Sequence, residues 1–243
     1  MSILSDIQGV VADVVSLILP RRCIVCGGEL LDNEGHICLP CRYNVPLTDF
    51  AKSKINPIKT LFENIFPIES ATALFWFVGG SDWQKLIHNF KYYNRWLFAQ
   101  KMGEWLGEEL KCSGNFEDVD VIIPIPLHYR RRLQRGYNQS EQLAIGIGRR
   151  IGVRCDFRSV YRRHYNDSQT SKRHTDRWDN VETIFEVRRA ERLRGKHILL
   201  VDDVLTTGAT IGSCATTIIK ACEGDVRISV ATLAASKRVI RDM

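Results

Sequence analysis

No stretch of this chain approaches the ~18–20 uninterrupted apolar residues that a membrane span needs. The apolar start, Ile3 to Leu19, also lacks the marks of a secretory leader. There is no basic n-region, Asp6 and Asp13 interrupt it, and it runs into Pro20-Arg21-Arg22 with no small-residue cleavage site. Repeats and low-complexity runs are missing too. These absences predict a cytoplasmic protein with reduced thiols, in which eight cysteines are not a disulfide framework.

What is present fits one medium domain with a small appendage. The 243 residues, 44% hydrophobic and 26% charged, suffice to bury a core without covalent staples. Ile3, Ile7, Val10, Val14 and Ile18 recur at helical spacing and predict an amphipathic helix over Ser2 to Leu19. That helix packs on its neighbouring module or docks to a partner or membrane surface. The net charge is +6, yet residues Leu127 to Arg177 alone hold 13 Lys and Arg against 4 Asp and Glu. The excess sits in one block, which points to an anionic ligand there.

Cys23-Ile-Val-Cys26 and Cys38-Leu-Pro-Cys41 lie 11 residues apart. Two such knuckles each clamp one side of a tetrahedral Zn²⁺, and four thiolates leave no open position, so the expected role is structural. An iron–sulfur centre or a disulfide pair is the weaker alternative. We divide the chain into residues 1–46, the helix plus zinc module, a connector over 47–67 without clean periodicity, and an α/β domain over 68–243.

Within that domain strands alternate with helices. Strands are expected at Ala71–Phe77, Val121–Ile125, Ser159–Arg162, Thr183–Val187, His197–Val201 and Val226–Leu233. Capping-box spacings at Ser81/Gln84 and Asn138/Glu141 open helices, and another spans Ala209 to about Ala221. The alternation implies a mostly parallel sheet with helices on both faces, and ligands at the carboxyl ends of its strands.

The most informative segment is His197-Ile-Leu-Leu-Val-Asp-Asp-Val-Leu-Thr-Thr-Gly-Ala-Thr-Ile211. A strand covered on both faces delivers Asp202 and Asp203 side by side. The helix start that follows offers orphan N–H groups and a positive dipole end to a phosphate. Gly208 permits positive φ, and the threonine hydroxyls add donors. Carboxylates repel phosphate but accept bonds from sugar hydroxyls or hold a hydrated Mg²⁺. The pair plus the turn reads as a sugar-phosphate site. This string closely resembles the signature of type I phosphoribosyltransferases. The resemblance implies that Asp202 and Asp203 take the ribose of 5-phosphoribosyl 1-pyrophosphate (PRPP), with Leu205, Thr206, Thr207, Gly208, Ala209 and Thr210 around its 5′-phosphate.

Upstream, Arg130, Arg131, Arg132 and Arg135 crowd a loop after Pro124-Ile-Pro-Leu-His128, Gly136 frees the backbone, and Asn138 and Gln139 enter a helix. A second anion site is expected here, with pyrophosphate the candidate. Arg162 to Arg177 is polar and long enough for a lid that excludes water and brings cations to departing pyrophosphate, with Arg163 the expected anion contact. In order, the cysteine knuckles, Phe90-Lys91-Tyr92, Pro124-Ile-Pro-Leu-His128, Arg135-Gly-Tyr-Asn-Gln139, the stretch Gln169…Arg177…Asn180…Phe185 and Val201–Ile211 resemble the ComF/GntX family of phosphoribosyltransferase-like proteins. That resemblance implies a role in DNA uptake during natural transformation, with single-stranded DNA and a helicase as partners, and an anion contact at Lys91.

Three functions stay open on the sequence. One is phosphoribosyl transfer, for which no acceptor-recognition segment is visible. Another is a single-stranded nucleic-acid-binding module, using the basic block and Tyr129, Tyr137, Tyr161 and Tyr165. The last is an assembly scaffold with a non-catalytic PRPP-like pocket.

Overall fold

A computed structural model of the chain describes residues 21–90, 96–163, 184–237 and 239; of residues 88–90 it describes only the helical backbone. The predicted helix over Ser2 to Leu19 lies outside the described residues, as do Lys91 and most of the expected lid. The elements in order are α1 (Leu39–Tyr43), α2 (Pro57–Glu63), β1 (Ala71–Phe77), α3 (Asp82–Phe90), α4 (Trp96–Ser113), β2 (Val121–Pro124), α5 (Tyr129–Arg135), α6 (Gln139–Ile151), β3 (Val160–Arg162), β4 (Phe185–Val187), β5 (Lys196–Leu205), α7 (Ala209–Ala221) and β6 (Val226–Ser236).

Four strands form a sheet in the order β1-β6-β5-β2, and every neighbouring pair is parallel. The remaining two, β3 and β4, pair antiparallel as a separate ribbon. On one face of the sheet α3, α4 and α6 pack through Trp83, Leu86, Met102, Leu106, Leu143 and Ile147. The other face is covered by α2, α7 and the ribbon, through Ile58, Phe62, Ile211, Ile218, Val160 and Phe185. The fold is therefore the α/β sandwich that the alternation implied.

β5 sits in the centre because its residues are apolar on both sides. Ile198 through Val201 are fully buried, and each such side chain contributes roughly 1.5–3 kcal/mol. The strand runs past the apolar stretch to Leu205, since Asp202 and Val204 still register with Thr232 and Ala234 of β6. That continuation makes the acids part of a strand rather than of a loose loop.

Close approach of α4 and α6 fixes the first layer. A Cβ on Gly146 would stand 2.1 Å from the Gln100 carbonyl oxygen, and one on Gly103 2.2 Å from that of Leu143. Only glycine lets the two backbones meet at that distance. Both predicted caps form, with differences. Ser81 Oγ accepts from Gln84 N at 3.2 Å while Gln84 Oε1 accepts from Gly80 N at 2.6 Å. Asn138 Oδ1 accepts from Ser140 N, but Glu141 reaches sideways to Arg132 instead of back to the backbone.

The stretch read as a connector carries structure. Leu47 bridges Phe75, Trp76 N donates to the Pro46 carbonyl, and Asn56 caps α2 by accepting from both Ile58 N and Lys59 N. Phe62 of α2 is wholly buried. A seven-residue helix shows too little periodicity to stand out in sequence; its partners lie far along the chain.

Candidate functional site

The carboxyl ends of β1, β2 and β5 open into one cavity of about 610 Å³. Asp202, Asp203, Val204, Thr206 and Thr210 form its centre, while Arg131, Arg135, Asn138, Gln139, Ser140 and Arg162 line its polar side. Phe77, at the end of β1 beyond β6 in the strand order, and Ile87 of α3 belong to the apolar side.

Neutral donors reach both acids. Ser140 Oγ donates to Asp202 Oδ1 at 2.8 Å, and the Asp203 N–H donates to the same oxygen at 2.9 Å. Asp203 Oδ1 accepts from Val204 N at 2.7 Å. Ser140 is second in α6, so that helix both walls the cavity and orients the first acid.

Beyond the acids the chain turns through Thr206 and Thr207 into Gly208, whose φ of 76° caps α7. The Ala209 N–H and Thr207 Oγ1 are 3.5 Å apart, a marginal bond, so the first amides of α7 stay available to an anion. Leu205 is buried in the core, whereas Thr206, Thr207, Ala209 and Thr210 are exposed and Gly208 is covered from below.

The basic segment is a short helix, α5, rather than the loop its composition suggested. His128 Nδ1 accepts from Arg130 N, and Gly136 at φ 80° ends the helix. The turn of the helix sorts its arginines. Arg131 and Arg135 line the cavity, and Arg135 reaches Gln139 Oε1 at 3.2 Å. Arg132 faces outward to Glu141 at 2.9 Å, away from the cavity lining. Asn138 is buried and donates to the Ile125 carbonyl, tying the start of α6 to the end of β2.

Arg162 is a residue that sequence reading missed in favour of Arg163. Along β3, Val160 and Arg162 share the inward face, and Arg163 is exposed with its N–H on the Ile184 carbonyl. The Arg162 Nε is buried with no hydrogen-bond partner among the described residues. Burial and then the nearby Arg131 charge push its guanidinium below the usual range, while Asp202 pulls the other way. Beneath this group, burial and then the Asp202 charge push the Cys214 thiol up, which keeps it neutral. The cavity thus sets three guanidiniums and a helix start against two carboxylates, an arrangement suited to a polyanion that also carries hydroxyls.

The sulfur atoms of Cys23, Cys26, Cys38 and Cys41 lie within 4.8 Å of one another. A tetrahedron with about 2.3 Å ligand bonds has edges of about 3.8 Å, and Cys26 Sγ stands 3.7 Å from Cys38 Sγ. Gly28 N donates to Cys26 Sγ and Cys38 N to Cys23 Sγ, each at 3.4 Å. Burial resists ionisation of Cys23, but hydrogen bonds from the Cys38, Cys26 and Val25 backbones outweigh it and bring the thiol to about 7. Burial raises Cys41 instead. Four clustered thiols ionise together only around a cation, so the group can hold a metal ion. No described helix is long and apolar enough to cross a membrane.

Comparison with known proteins agrees with this geometry. The family model of the phosphoribosyl transferase domain matches residues 133–241, which include β5, the acids and the turn. The DNA utilization protein YhgH of Escherichia coli O6:H1 (strain CFT073) is 29% identical over 144 residues, covering 56% of this chain and 60% of that protein. Competence protein F of Haemophilus influenzae is 25% identical over 199 residues, covering 78% and 87%. Competence protein ComFC of Bacillus subtilis is 35% identical over 91 residues, covering 37% and 35%. The chain thus spans three fifths of the length of the YhgH relative. By its sheet, its cysteine cluster and these relatives, the chain resembles the ComF family of phosphoribosyltransferase-like proteins.

Proposed function

We propose that the chain binds PRPP in the cavity at the carboxyl end of β5, with residues 68–243 as the binding domain, and that it serves DNA uptake or utilisation in the cytoplasm. One observation carries this reading: Asp202 and Asp203, Thr206 and Thr210, and Arg131, Arg135 and Arg162 all line the same cavity. Ribose hydroxyls donate to the two acids, and the amides that open α7 take the 5′-phosphate. The arginines meet the pyrophosphate. Mg²⁺ accompanies the pyrophosphate beside the acids, since hard cations with retained water suit carboxylate and phosphate oxygens. The cellular setting is supported by relatives named for competence and DNA utilization.

The four cysteines hold a structural Zn²⁺, the metal that a closed four-sulfur tetrahedron suits best. It supplies folding energy to residues 21–46 and no chemistry to the cavity.

Calorimetry with PRPP and Mg²⁺, and separately with ribose 5-phosphate and pyrophosphate, tests the reading. Saturable binding of PRPP that disappears in Asp202→Asn/Asp203→Asn is the expected result. A wild-type protein that binds none of the three ligands removes it and leaves the scaffold alternative.

A second reading has its own observation. The outer face of α5 carries Tyr129 and Leu133, 60% and 79% exposed, beside Arg130, whose guanidinium stands 5.9 Å from the Tyr129 ring centre. A basic, aromatic face next to a phosphate-accepting cavity suits single-stranded DNA, and a DNA-uptake helicase is the partner the family suggests. Fluorescence anisotropy with a labelled single strand is expected to show affinity that falls steeply with salt. Salt-independent binding counts against it.

A further inference from the structure

We propose that Leu61 and Phe62, on α2, are positioning residues for the phosphate turn at Thr206–Gly208. This rests on the phosphate-binding role given to that turn above. A Cβ added to Gly208 would stand 3.1 Å from Leu61 Cδ2 and 3.1 Å from Phe62 Cε1. One helical turn further, a Cβ on Gly212 would stand 3.1 Å from Ile65 Cγ2. The segment from Leu61 to Ile65 therefore lies against the first turn of α7 with no gap, directly under the amides that face the cavity.

That support is itself fixed. Asn56 Oδ1 accepts from Ile58 N and Lys59 N at 3.1 and 3.0 Å, while its Nδ2 donates to the Ala71 carbonyl on β1 at 2.9 Å. Phe62 is fully buried and its ring centre lies 5.4 Å from that of Phe66. The turn has little to hold it from within: Thr206 and Thr207 are exposed, and the tie from Ala209 N to Thr207 Oγ1 is 3.5 Å long. Gly208 holds a φ of 76° that other residues seldom adopt. Apolar contact from below is what sets the height of the turn, and with it the convergence of its N–H groups. Bonds to a charged phosphate weaken steeply once those donors diverge.

The test separates the two ends of the ligand. Leu61 is only half-buried, so Leu61→Ala removes the contact with less risk to folding than a change at Phe62. Calorimetry is run with ribose 5-phosphate and with inorganic pyrophosphate on wild type, Leu61→Ala, Leu61→Met and Phe62→Leu, alongside a thermal melt. We expect Leu61→Ala and Phe62→Leu to weaken ribose 5-phosphate about tenfold, the worth of roughly one charge-assisted hydrogen bond. Pyrophosphate affinity stays within about twofold, and Leu61→Met restores the bulk and the affinity. Equal losses for both probes, tracking the melt, make the contact ordinary packing and overturn the inference. So does unchanged ribose 5-phosphate affinity in Leu61→Ala. A wild-type protein that binds pyrophosphate but no ribose 5-phosphate removes the phosphate role of the turn itself, and one that binds neither removes the PRPP reading as a whole.

Discussion

In the cysteine module, α1 buries no side chain, and four sulfur atoms within 4.8 Å of one another draw residues 21–46 together. In the sheet, Ile198 to Val201 are fully buried and helices cover both faces. Among the described residues the module contributes Cys23, Val25 and Cys38 to the buried cluster it shares with the sheet, with Ile24, Leu30, Ile37, Cys41 and Val45 packed half-buried against it. Small units that cannot bury enough apolar surface take their stability from a metal, whereas larger ones take it from packing. The two regions therefore answer to different perturbations, although they touch.

Metal removal is the harshest way to break that comparison. Binding of structural Zn²⁺ to sites of this kind carries about 10–16 kcal/mol, far more than the module's few apolar contacts supply. A strong chelator, or Cys26→Ser with Cys41→Ser, is expected to unfold residues 21–46 and leave the sheet domain's melting transition in place. Hydrogen exchange resolves the two regions. Loss of protection in β5 and β6 together with the module would mean that they form one cooperative unit.

The second prediction concerns the sheet's own site. Asp202→Asn with Asp203→Asn removes the two carboxylates proposed to accept from ribose hydroxyls, each such bond worth roughly 1.5–3 kcal/mol. PRPP affinity is expected to fall at least ~100-fold while the melting temperature changes little, because both side chains lie at the end of the strand and outside the core. Calorimetry and a thermal melt on the same sample read the two quantities. A large fall in melting temperature would place the acids among the groups that hold the sheet, and would blur the contrast between packing and site.

These expectations lean on features of unequal visibility. β5 and its acids were legible because an apolar run buried on both faces has a recognisable composition, and because acid pair, threonine pair and glycine follow in the order the chemistry needs. The cysteine cluster was legible from spacing alone. What stayed hidden depends on rotation and distance. Arg131 and Arg132 are neighbours, and only the turn of α5 sends one to the cavity and the other to Glu141. Arg162 could have been chosen over Arg163 by counting from Val160 along the strand, had its inward face been known. α2 was invisible because its seven residues gain their meaning from Gly208 and Gly212, about 150 residues later.

Arg162 sharpens the comparison, since there stability and ligand binding pull apart. Its Nε is buried with no hydrogen-bond partner among the described residues, and burial disfavours its charge. Arg162→Met keeps the apolar stem and removes that cost. The melting temperature is expected to rise slightly, corresponding to about 1 kcal/mol, while pyrophosphate affinity falls about tenfold through loss of a cation. Opposite signs mark a group kept for its ligand rather than for the fold. A fall in both quantities would instead make Arg162 a structural cation for Asp202.

The smallest effect belongs to Ser140, which couples α6 to the acid pair. Its hydroxyl donates to Asp202 Oδ1 at 2.8 Å, and the Asp203 N–H already holds the same oxygen. Ser140→Ala leaves the carboxylate bonded to the Asp203 N–H, so the loss is that of one orienting bond, about 0.5–1.5 kcal/mol. PRPP affinity is expected to fall only a few-fold, in a protein that melts close to wild type. The double variant Ser140→Ala/Asp202→Asn then tells orientation from packing. If the serine acts only through Asp202, its effect on affinity vanishes once the acid is gone, and the two changes are strongly non-additive. Full additivity would mean that α6 shapes the cavity independently of the acid, and the helix wall would join the packed sheet rather than the site it borders.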